Sequence, residues 1–131
     1  MQKGDWFKRK KLQLSYSQIT DLSPLSGLTN LEKLDLKYNQ ISDLSPLEDL
    51  TNLTELDLSG NQISDLSPLA KLTKLEELDL GENLVTEVGP LTGLVRLKKL
   101  NISGYGNHRI DDDQKEMLKK ALPKCSILFF K

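Results

Sequence analysis

Residues 34–55 read LDLKYNQISDLSPLEDLTNLTE, and residues 56–77 read LDLSGNQISDLSPLAKLTKLEE. The two stretches differ at six of 22 positions, so 16 positions are identical. The same step of 22 residues separates the prolines Pro24, Pro46, Pro68 and Pro90. A fixed period of this length is the signature of a solenoid, because one unit can bury its apolar face only against its neighbours. The period therefore predicts a stack of similar units.

Each unit follows the pattern L-x-x-L-x-L-x-x-N-x-I-x-x-L-x-x-L-x-x-L. Its L-x-L segment alternates with period two, which predicts a short strand with Leu34 and Leu36 inside and Asp35 outside. Strands of successive units then lie parallel, about 4.8 Å apart. Asn39 follows at an inward turn, where its amide can both donate to and accept from backbone groups. Ile41 and the later leucines are expected to fill the core from the far side.

This pattern resembles the leucine-rich repeat over residues 12–104. It is most similar to the 22-residue class found in bacterial internalins and in a regulatory subunit of a serine/threonine phosphatase. The resemblance implies the α/β class and a right-handed solenoid. Short parallel strands would form the concave face, 3-10 turns and loops the convex face, and a helix and a strand the C-terminal cap. We expect about five repeats over 12–104, an N-terminal cap over 1–11 and a C-terminal cap over 105–131.

Both ends of the repeat array depart from the pattern. In the first unit Ser17 stands where asparagine is expected, and Trp6 and Phe7 are predicted to close that edge of the core. After Gly104 the period breaks, and Tyr105 occupies the asparagine register. These departures predict that the terminal units have capping roles.

The C-terminal segment DDDQKEMLKKALP predicts a helix over about 112–122. Asp111 or Asp112 can cap its start, acidic residues fill the first turn and lysines the last, and Pro123 ends it. Residues 126–130 then predict a closing strand. The stretch KKALPKCSILFF resembles the C-terminal caps of other bacterial repeat proteins of this kind.

The composition argues against several functions. The 131 residues hold 18 Lys and Arg against 19 Asp and Glu, which gives a net charge of −1, whereas nucleic-acid-binding domains are normally basic. No apolar run approaches the roughly 20 residues of a membrane span. The basic start MQKGDWFKRKK is not followed by an apolar segment, so it does not resemble a secretory signal. We therefore expect a cytoplasmic protein that binds neither nucleic acid nor membrane.

No residue pattern predicts catalysis, a metal site or a cofactor. Cys125 and His108 are the single cysteine and histidine, too few for a disulfide or a Cys-based metal cluster. Asp111–Asp113 are better explained as helix-capping residues than as a cation site. Residues 103–106 (SGYG) lack the Gly-Lys-Ser/Thr ending of a phosphate-binding loop. Asp21, Asp43 and Asp65 recur with the unit and are expected to cap turns.

The outward strand positions form four columns, which together we call the concave face. The first column holds Lys11, Lys33, Glu55, Glu77 and Lys99. The second holds Gln13, Asp35, Asp57, Asp79 and Asn101. The third holds Ser15, Lys37, Ser59, Gly81 and Ser103. The fourth holds Tyr16, Tyr38, Gly60, Glu82 and Gly104.

The middle of the concave face is acidic, because the third and fourth units place acids there without a base. Neighbouring carboxylates about 5 Å apart repel by roughly 0.8 kcal/mol even in bulk water, which a basic partner would relieve. Tyrosine is also a residue type that anchors interfaces. We predict that a protein or peptide, with a basic one favoured, binds at Tyr16, Lys33, Asp35, Lys37, Tyr38, Glu55, Asp57, Ser59, Glu77, Asp79, Glu82 and Asn101.

The favoured function is thus a monomeric, non-catalytic interaction module without a cofactor. The acids of the third and fourth units, Glu55, Asp57, Glu77, Asp79 and Glu82, are called the acidic strip. Four alternatives stay open: an internalin-like surface adhesin fragment, an engineered repeat scaffold, an enzyme or metal protein that uses the acidic strip, and acids that only keep the face soluble. The enzyme is disfavoured because the strip lies on flat strands without a cleft to exclude water. The irregular fourth and fifth units argue against an engineered consensus.

Overall fold

A single parallel sheet of six strands forms one face of the protein in the computed structural model, which describes residues 7–129. The strands lie side by side in chain order: β1 Lys11–Gln13, β2 Lys33–Asp35, β3 Glu55–Asp57, β4 Glu77–Asp79, β5 Lys99–Asn101 and β6 Ser126–Leu128. From β1 to β5 the register follows the 22-residue step, so that Leu34 pairs with Leu56 and Leu56 with Leu78. The predicted solenoid of stacked units is confirmed.

Short 3-10 turns form the opposite side of each unit. They span Ser23–Leu25, Ser45–Leu47, Ser67–Leu69 and Gly89–Leu91, and a fifth spans Tyr105–Arg109. In the second unit, the Oδ1 of Asp43 accepts a hydrogen bond from the backbone N–H of Ser45 at 2.9 Å, and proline follows in the first turn. This bond lowers the pKa of Asp43 below its ordinary value. Asp21 and Asp65 make the equivalent bond, and each of these aspartates holds the first N–H of its turn from one residue before the N-cap leucine.

The core is a continuous column of leucines, isoleucines and valines between the sheet and the turns. The second unit alone buries Leu34, Leu36, Ile41, Leu44, Leu47, Leu50 and Leu53. Each such side chain contributes roughly 1.5–3 kcal/mol when it leaves water. Since each unit supplies a similar set, stability comes from the contact between neighbouring units.

Buried asparagines tie each unit to the one before it. The Oδ1 of Asn61 accepts from the N–H of Ile41 at 3.0 Å, while its Nδ2 donates to the carbonyls of Leu36 and Leu58 at 3.1 and 2.9 Å. One amide therefore serves backbone groups of two units that the inward turn would otherwise leave unpaired. Within residues 7–129, no buried side-chain polar atom lacks a hydrogen-bond partner.

The period breaks at Tyr105, which stands 22 residues after Asn83 in the sequence but does not take the buried asparagine position. Tyr105 is 87% exposed, and Asn107 fills the asparagine position instead. The Oδ1 of Asn107 accepts from the N–H of Val85 at 2.9 Å, and its Nδ2 donates to the carbonyl of Leu80 at 2.8 Å. The 3-10 turn that begins at Tyr105 moves the inward amide two residues further along the chain.

The C-terminal cap is a helix followed by β6. Helix α1 spans Asp112–Ala121, and the Oδ1 of Asp111 caps it by accepting from the N–H of Gln114 at 2.9 Å. Gln114 in turn accepts the N–H of Val88 at 2.8 Å, which fastens the helix to the fourth unit. Strand β6 pairs with β5 as predicted, over residues 126–128.

The N-terminal edge is less covered than the sequence suggests. Phe7 lies against Gly27, but its side chain is 56% exposed. Of the two residues predicted to close this edge, Phe7 therefore covers it only in part. Trp6, like Phe130 at the other end, lies outside the described residues.

Candidate functional site

The concave face forms an open groove of about 580 Å³ across all six strands. Side chains alternate along a strand, so the residues on either side of each buried leucine point into the groove. The structure thus brings together seven of the predicted residues: Lys33, Asp35, Glu55, Asp57, Glu77, Asp79 and Asn101. The other five come after the strands and are not among the residues that line the groove: Tyr16, Lys37, Tyr38, Ser59 and Glu82.

The first column contains a cross-strand ion pair. The Nζ of Lys33 on β2 lies 3.2 Å from Oε2 of Glu55 on β3. Burial alone would raise the pKa of Glu55, but hydrogen bonds with Glu77 and Lys33 and the positive charge of Lys33 outweigh burial and lower it. Glu55 therefore carries its negative charge over a wide pH range, and Lys33 already offsets part of it.

The second column has a structural role that the sequence pattern did not predict. The Oδ1 of Asp57 accepts from the backbone N–H and the hydroxyl of Ser59 at 3.0 and 2.7 Å. The Oδ1 of Asp79 likewise accepts from the N–H of Gly81 at 2.9 Å. These bonds hold the turn that follows each strand. The signal in the sequence is the recurrence of Asp or Asn two residues before a turn residue.

The hydrogen bonds of the second column do not require its negative charges. Asn101 makes the same turn with the N–H of Ser103 at 2.9 Å, although its side chain is neutral. The turn therefore needs a side-chain oxygen but no charge. The carboxylates of Asp57 and Asp79 are not explained by turn formation alone.

Lys37 lies beside the acidic strip. Its Nζ is 3.1 Å from Oδ2 of Asp35. A hydrogen bond to Asp35 and the charge of that carboxylate raise the pKa of Lys37, and the charge of Asp57 raises it further. The third and fourth units have Ser59 and Gly81 in this column and supply no such cation.

Asp57 and Asp79 face each other in register on β3 and β4, and in the part of the chain that the structure describes neither makes a salt bridge. Burial raises the pKa of Asp79 above its ordinary value, and the negative charge of Asp57 raises it further, against hydrogen bonds from Gly81 and Asn101. The shift shows that the ionised form of Asp79 is disfavoured where it stands. A positive group placed between the two strands would favour that form.

Tyr16 and Tyr38 form a stacked pair beside the groove. Their ring centroids are 5.1 Å apart with an interplanar angle of 9°, and the side chains are 69% and 47% exposed. The ring of Tyr38 lies over Gly60, since a Cβ on that glycine would come within 2.4 Å of the Cδ1 of the ring. The pair is therefore a flat aromatic surface open to solvent.

The fourth column has a left-handed backbone. The angle φ is +54° at Tyr16, Tyr38 and Glu82, and +70° and +107° at Gly60 and Gly104. A side chain in this region costs about 1–2 kcal/mol relative to glycine. The two glycines in the same register are the sequence signal that could have revealed it.

The described residues offer little for other chemistry. Among residues 7–129, no group of three or more His, Cys, Asp or Glu is placed to hold a metal ion. No helix in this range is long and apolar enough to cross a membrane. His108 is exposed, and partial burial raises the pKa of the Cys125 thiol, which lowers its reactive thiolate fraction.

The comparisons with known proteins agree with this architecture. The family described as leucine-rich repeats (two copies) matches residues 10–49, 29–71, 51–92 and 73–118. The chain is similar to the internalin InlF of Listeria monocytogenes over 87% of its own length, with 30% sequence identity and a TM-score of 0.73. Internalin C2 of the same organism is similar to 95% of it, with 32% identity and a TM-score of 0.73.

A leucine-rich repeat protein of Leptospira interrogans is similar to 92% of the chain, with 35% identity and a TM-score of 0.81. The chain spans only 34%, 52% and 31% of these three structures, in the order given. Among curated proteins, none matches the sequence significantly.

Proposed function

Because the chain belongs to the leucine-rich repeat family, we propose that it is a non-catalytic module that binds a basic protein or peptide on its concave face. Leucine-rich repeat proteins are in general protein-interaction modules, and this chain is one of them by fold. The choice of the concave face and of a basic partner rests on the residues of the groove.

The observation that carries the proposal is the pair of carboxylates on β3 and β4. Asp57 and Asp79 lie in register without a salt bridge among the described residues, and the pKa of Asp79 is raised. Since Asn101 forms the same turn without a charge, the two charges are not needed for the turns that follow β3 and β4. A basic partner would turn this repulsion into attraction, and it would bind faster at low ionic strength.

The size of the face suits a peptide segment or a small domain. Four columns of five residues offer 20 outward positions. A standard interface uses about 20–30 residues on each side. A partner that contacts the concave face alone would thus form a small and readily reversible interface.

The test is a matched pair of double variants. Asp57→Asn with Asp79→Asn removes the two unpaired carboxylate charges of the groove and keeps the turns. Asp43→Asn with Asp65→Asn makes the same chemical change on the convex side, where both carboxylates cap turns. The partner is first identified by crosslinking to the parent protein, and its affinity for all three proteins is then measured by calorimetry.

We expect the groove variant to bind at least about tenfold more weakly and the convex variant to bind like the parent. Thermal unfolding should show that both variants remain folded. Equal affinity of the groove variant and the parent would disprove the proposed face.

The likeness to two internalins favours a second candidate, an internalin-like surface adhesin fragment. It differs from the first in location, because we propose that the module acts as a monomer in the cytoplasm. Fractionation of the source cells distinguishes the two candidate functions. Recovery in the soluble interior supports the first candidate, and recovery at the cell surface supports the second.

A further inference from the structure

The chain itself places a cation at one position of the second column. Lys37 follows β2 and turns its ammonium group back to Asp35, at 3.1 Å. The charge of Asp57 on the next strand also raises the pKa of Lys37. A positive group is therefore accommodated directly over the second column, at the end of the strands.

The next two units have the same carboxylate but no such cation. Ser59 and Gly81 stand in the column of Lys37, and their N–H groups bond only Oδ1 of Asp57 and Asp79. Within residues 7–129 the two Oδ2 atoms accept no hydrogen bond. Two acceptors on neighbouring strands thus lack the partner that Asp35 has, and such strands lie about 4.8 Å apart.

We propose that an arginine of an extended basic segment in the protein partner bridges Asp57 and Asp79, in the place that Lys37 fills over Asp35. This inference rests on the proposed function and names its recognition element. A guanidinium presents several donors in a flat fork and can pair two carboxylates at once, whereas an ammonium is a point charge. Charge complementarity thus selects the occupant of this sheet face.

The aromatic pair borders the same place. Gly60 follows the turn that Asp57 makes with Ser59, and the ring of Tyr38 lies over Gly60. Arginine stacks on tyrosine rings more readily than lysine does. Glu82 in the fourth unit occupies the same register as Gly60 in the third, and it adds a third negative charge. These neighbours favour a planar cation over a compact one.

Two backbone amides report directly on the proposed contact. The N–H of Ser59 donates to Asp57, and that of Gly81 donates to Asp79, so their ¹⁵N–¹H signals respond to any group that binds these carboxylates. The N–H of Ser45 donates in the same way to Asp43 on the convex side, far from the groove, and is the internal control. The probe is the peptide acetyl-Gly-Gly-Arg-Gly-Gly-amide, titrated into the labelled protein in parallel with its lysine analogue.

We expect the arginine peptide to shift the Ser59 and Gly81 signals saturably in the millimolar range, with at least about threefold weaker binding of the lysine peptide. The Ser45 signal should remain in place. Absence of saturable shifts, or equal binding of both peptides, would overturn the proposal. Calcium ions that produce the same shifts at lower concentration would also overturn it in favour of a metal site.

A variant that supplies the cation internally provides a second test. Ser59→Lys places a lysine in the third unit where Lys37 stands in the second, and Ser59→Gln is the uncharged control. Both variants lose the hydroxyl bond to Asp57, so they are compared with each other: we expect Ser59→Lys to bind the arginine peptide at Gly81 at least about fivefold more weakly than Ser59→Gln. Equal binding by the two variants, with otherwise native spectra, would contradict the inference.

The two proposals fail in different ways. If the peptide does not bind but Asp57→Asn with Asp79→Asn loses the natural partner, the arginine assignment is wrong and the concave face stands. If that double variant keeps the natural partner, the proposed function itself is wrong, whatever the peptide does.

Discussion

Ile63 donates its backbone N–H to the side-chain Oδ1 of Asn83, one repeat further along the chain, at 3.0 Å. The Nδ2 of Asn83 donates in the opposite sense, to the carbonyls of Leu58 and Leu80 at 2.9 and 3.1 Å. A single buried amide therefore joins the turn of one unit to the turn of the next. The sheet and the leucine core hold the units together, and the amide fixes the turn between them.

Asn83→Ala should destabilise the domain by about 3 kcal/mol, because several buried backbone groups lose their partner at once. Chemical denaturation with the linear extrapolation method measures the change. Gln62→Ala is the control, since this exposed side chain should change the free energy of unfolding by less than about 0.5 kcal/mol. Equal stability of Asn83→Ala and the parent would remove the structural role assigned to the amide.

Gly106→Ala should cost at least about 2–3 kcal/mol, because the added Cβ would lie 1.7 Å from the carbonyl oxygen of Asn83. Backbone rather than a flexible side chain occupies the space, so the cap must move. Gly93→Ala is the matched control, since no atom lies within 4 Å of its Cβ position. We expect this control to be neutral or to stabilise by up to about 1 kcal/mol in thermal unfolding.

Asp79→Asn should raise the melting temperature at pH 7. Burial and the charge of Asp57 raise the pKa of Asp79 in the folded state, so its ionised form opposes folding at every pH above that pKa. The opposition disappears as the pH falls through the folded pKa toward the ordinary value of about 3.8. The advantage of Asp79→Asn should therefore be largest at neutral pH and shrink in acid.

Asp43→Asn should have the opposite effect and lower the melting temperature at pH 7. Its hydrogen bonds with Ser45 lower the pKa of Asp43, so ionised Asp43 favours folding above its ordinary pKa. That contribution is lost as the pH falls through the lowered pKa. A pH series in which both variants gain stability at pH 7 would contradict the opposite roles assigned to these two carboxylates.

Asp111→Ala should cost about 1 kcal/mol, because the N-terminal turn of α1 loses its side-chain cap at the N–H of Gln114. Asp111→Asn should keep most of this free energy, since an amide oxygen accepts the same hydrogen bond. Urea denaturation of the three proteins makes the comparison. A loss of equal size in both variants would assign the effect to charge rather than to capping.

Much of the fold follows from the sequence because the determining interactions are local to one unit and then repeat. The L-x-L strands, the inward asparagines Asn39, Asn61 and Asn83, and the turns capped by Asp43 and Asp65 all lie where the period predicts them. The exception is the C-terminal cap. Asn107 replaces Tyr105 there because the cap inserts a longer 3-10 turn, and the shift has no counterpart in the other units from which it could be deduced.

The candidate site could be predicted only in outline. The register of Asp57 and Asp79 follows from the period. The contact of Lys37 with Asp35 and its influence beyond its own unit depend on side-chain direction, which the pattern does not specify. The stacking of Tyr16 on Tyr38 could not be predicted either, because it depends on the side-chain rotamers of both rings.

The left-handed backbone after each strand has a consequence for how such a surface can diversify. At this position a unit folds with tyrosine, glutamate or glycine, as Tyr38, Glu82 and Gly60 show within one chain. The residue is outside the leucine core, but the preceding coil limits what can replace the glycines, because a Cβ at Gly60 would overlap the ring of Tyr38 and one at Gly104 would crowd the backbone of Glu82. A large side chain on one coil therefore pairs with glycine on the next, and new binding surfaces of this kind arise by coupled changes in neighbouring coils.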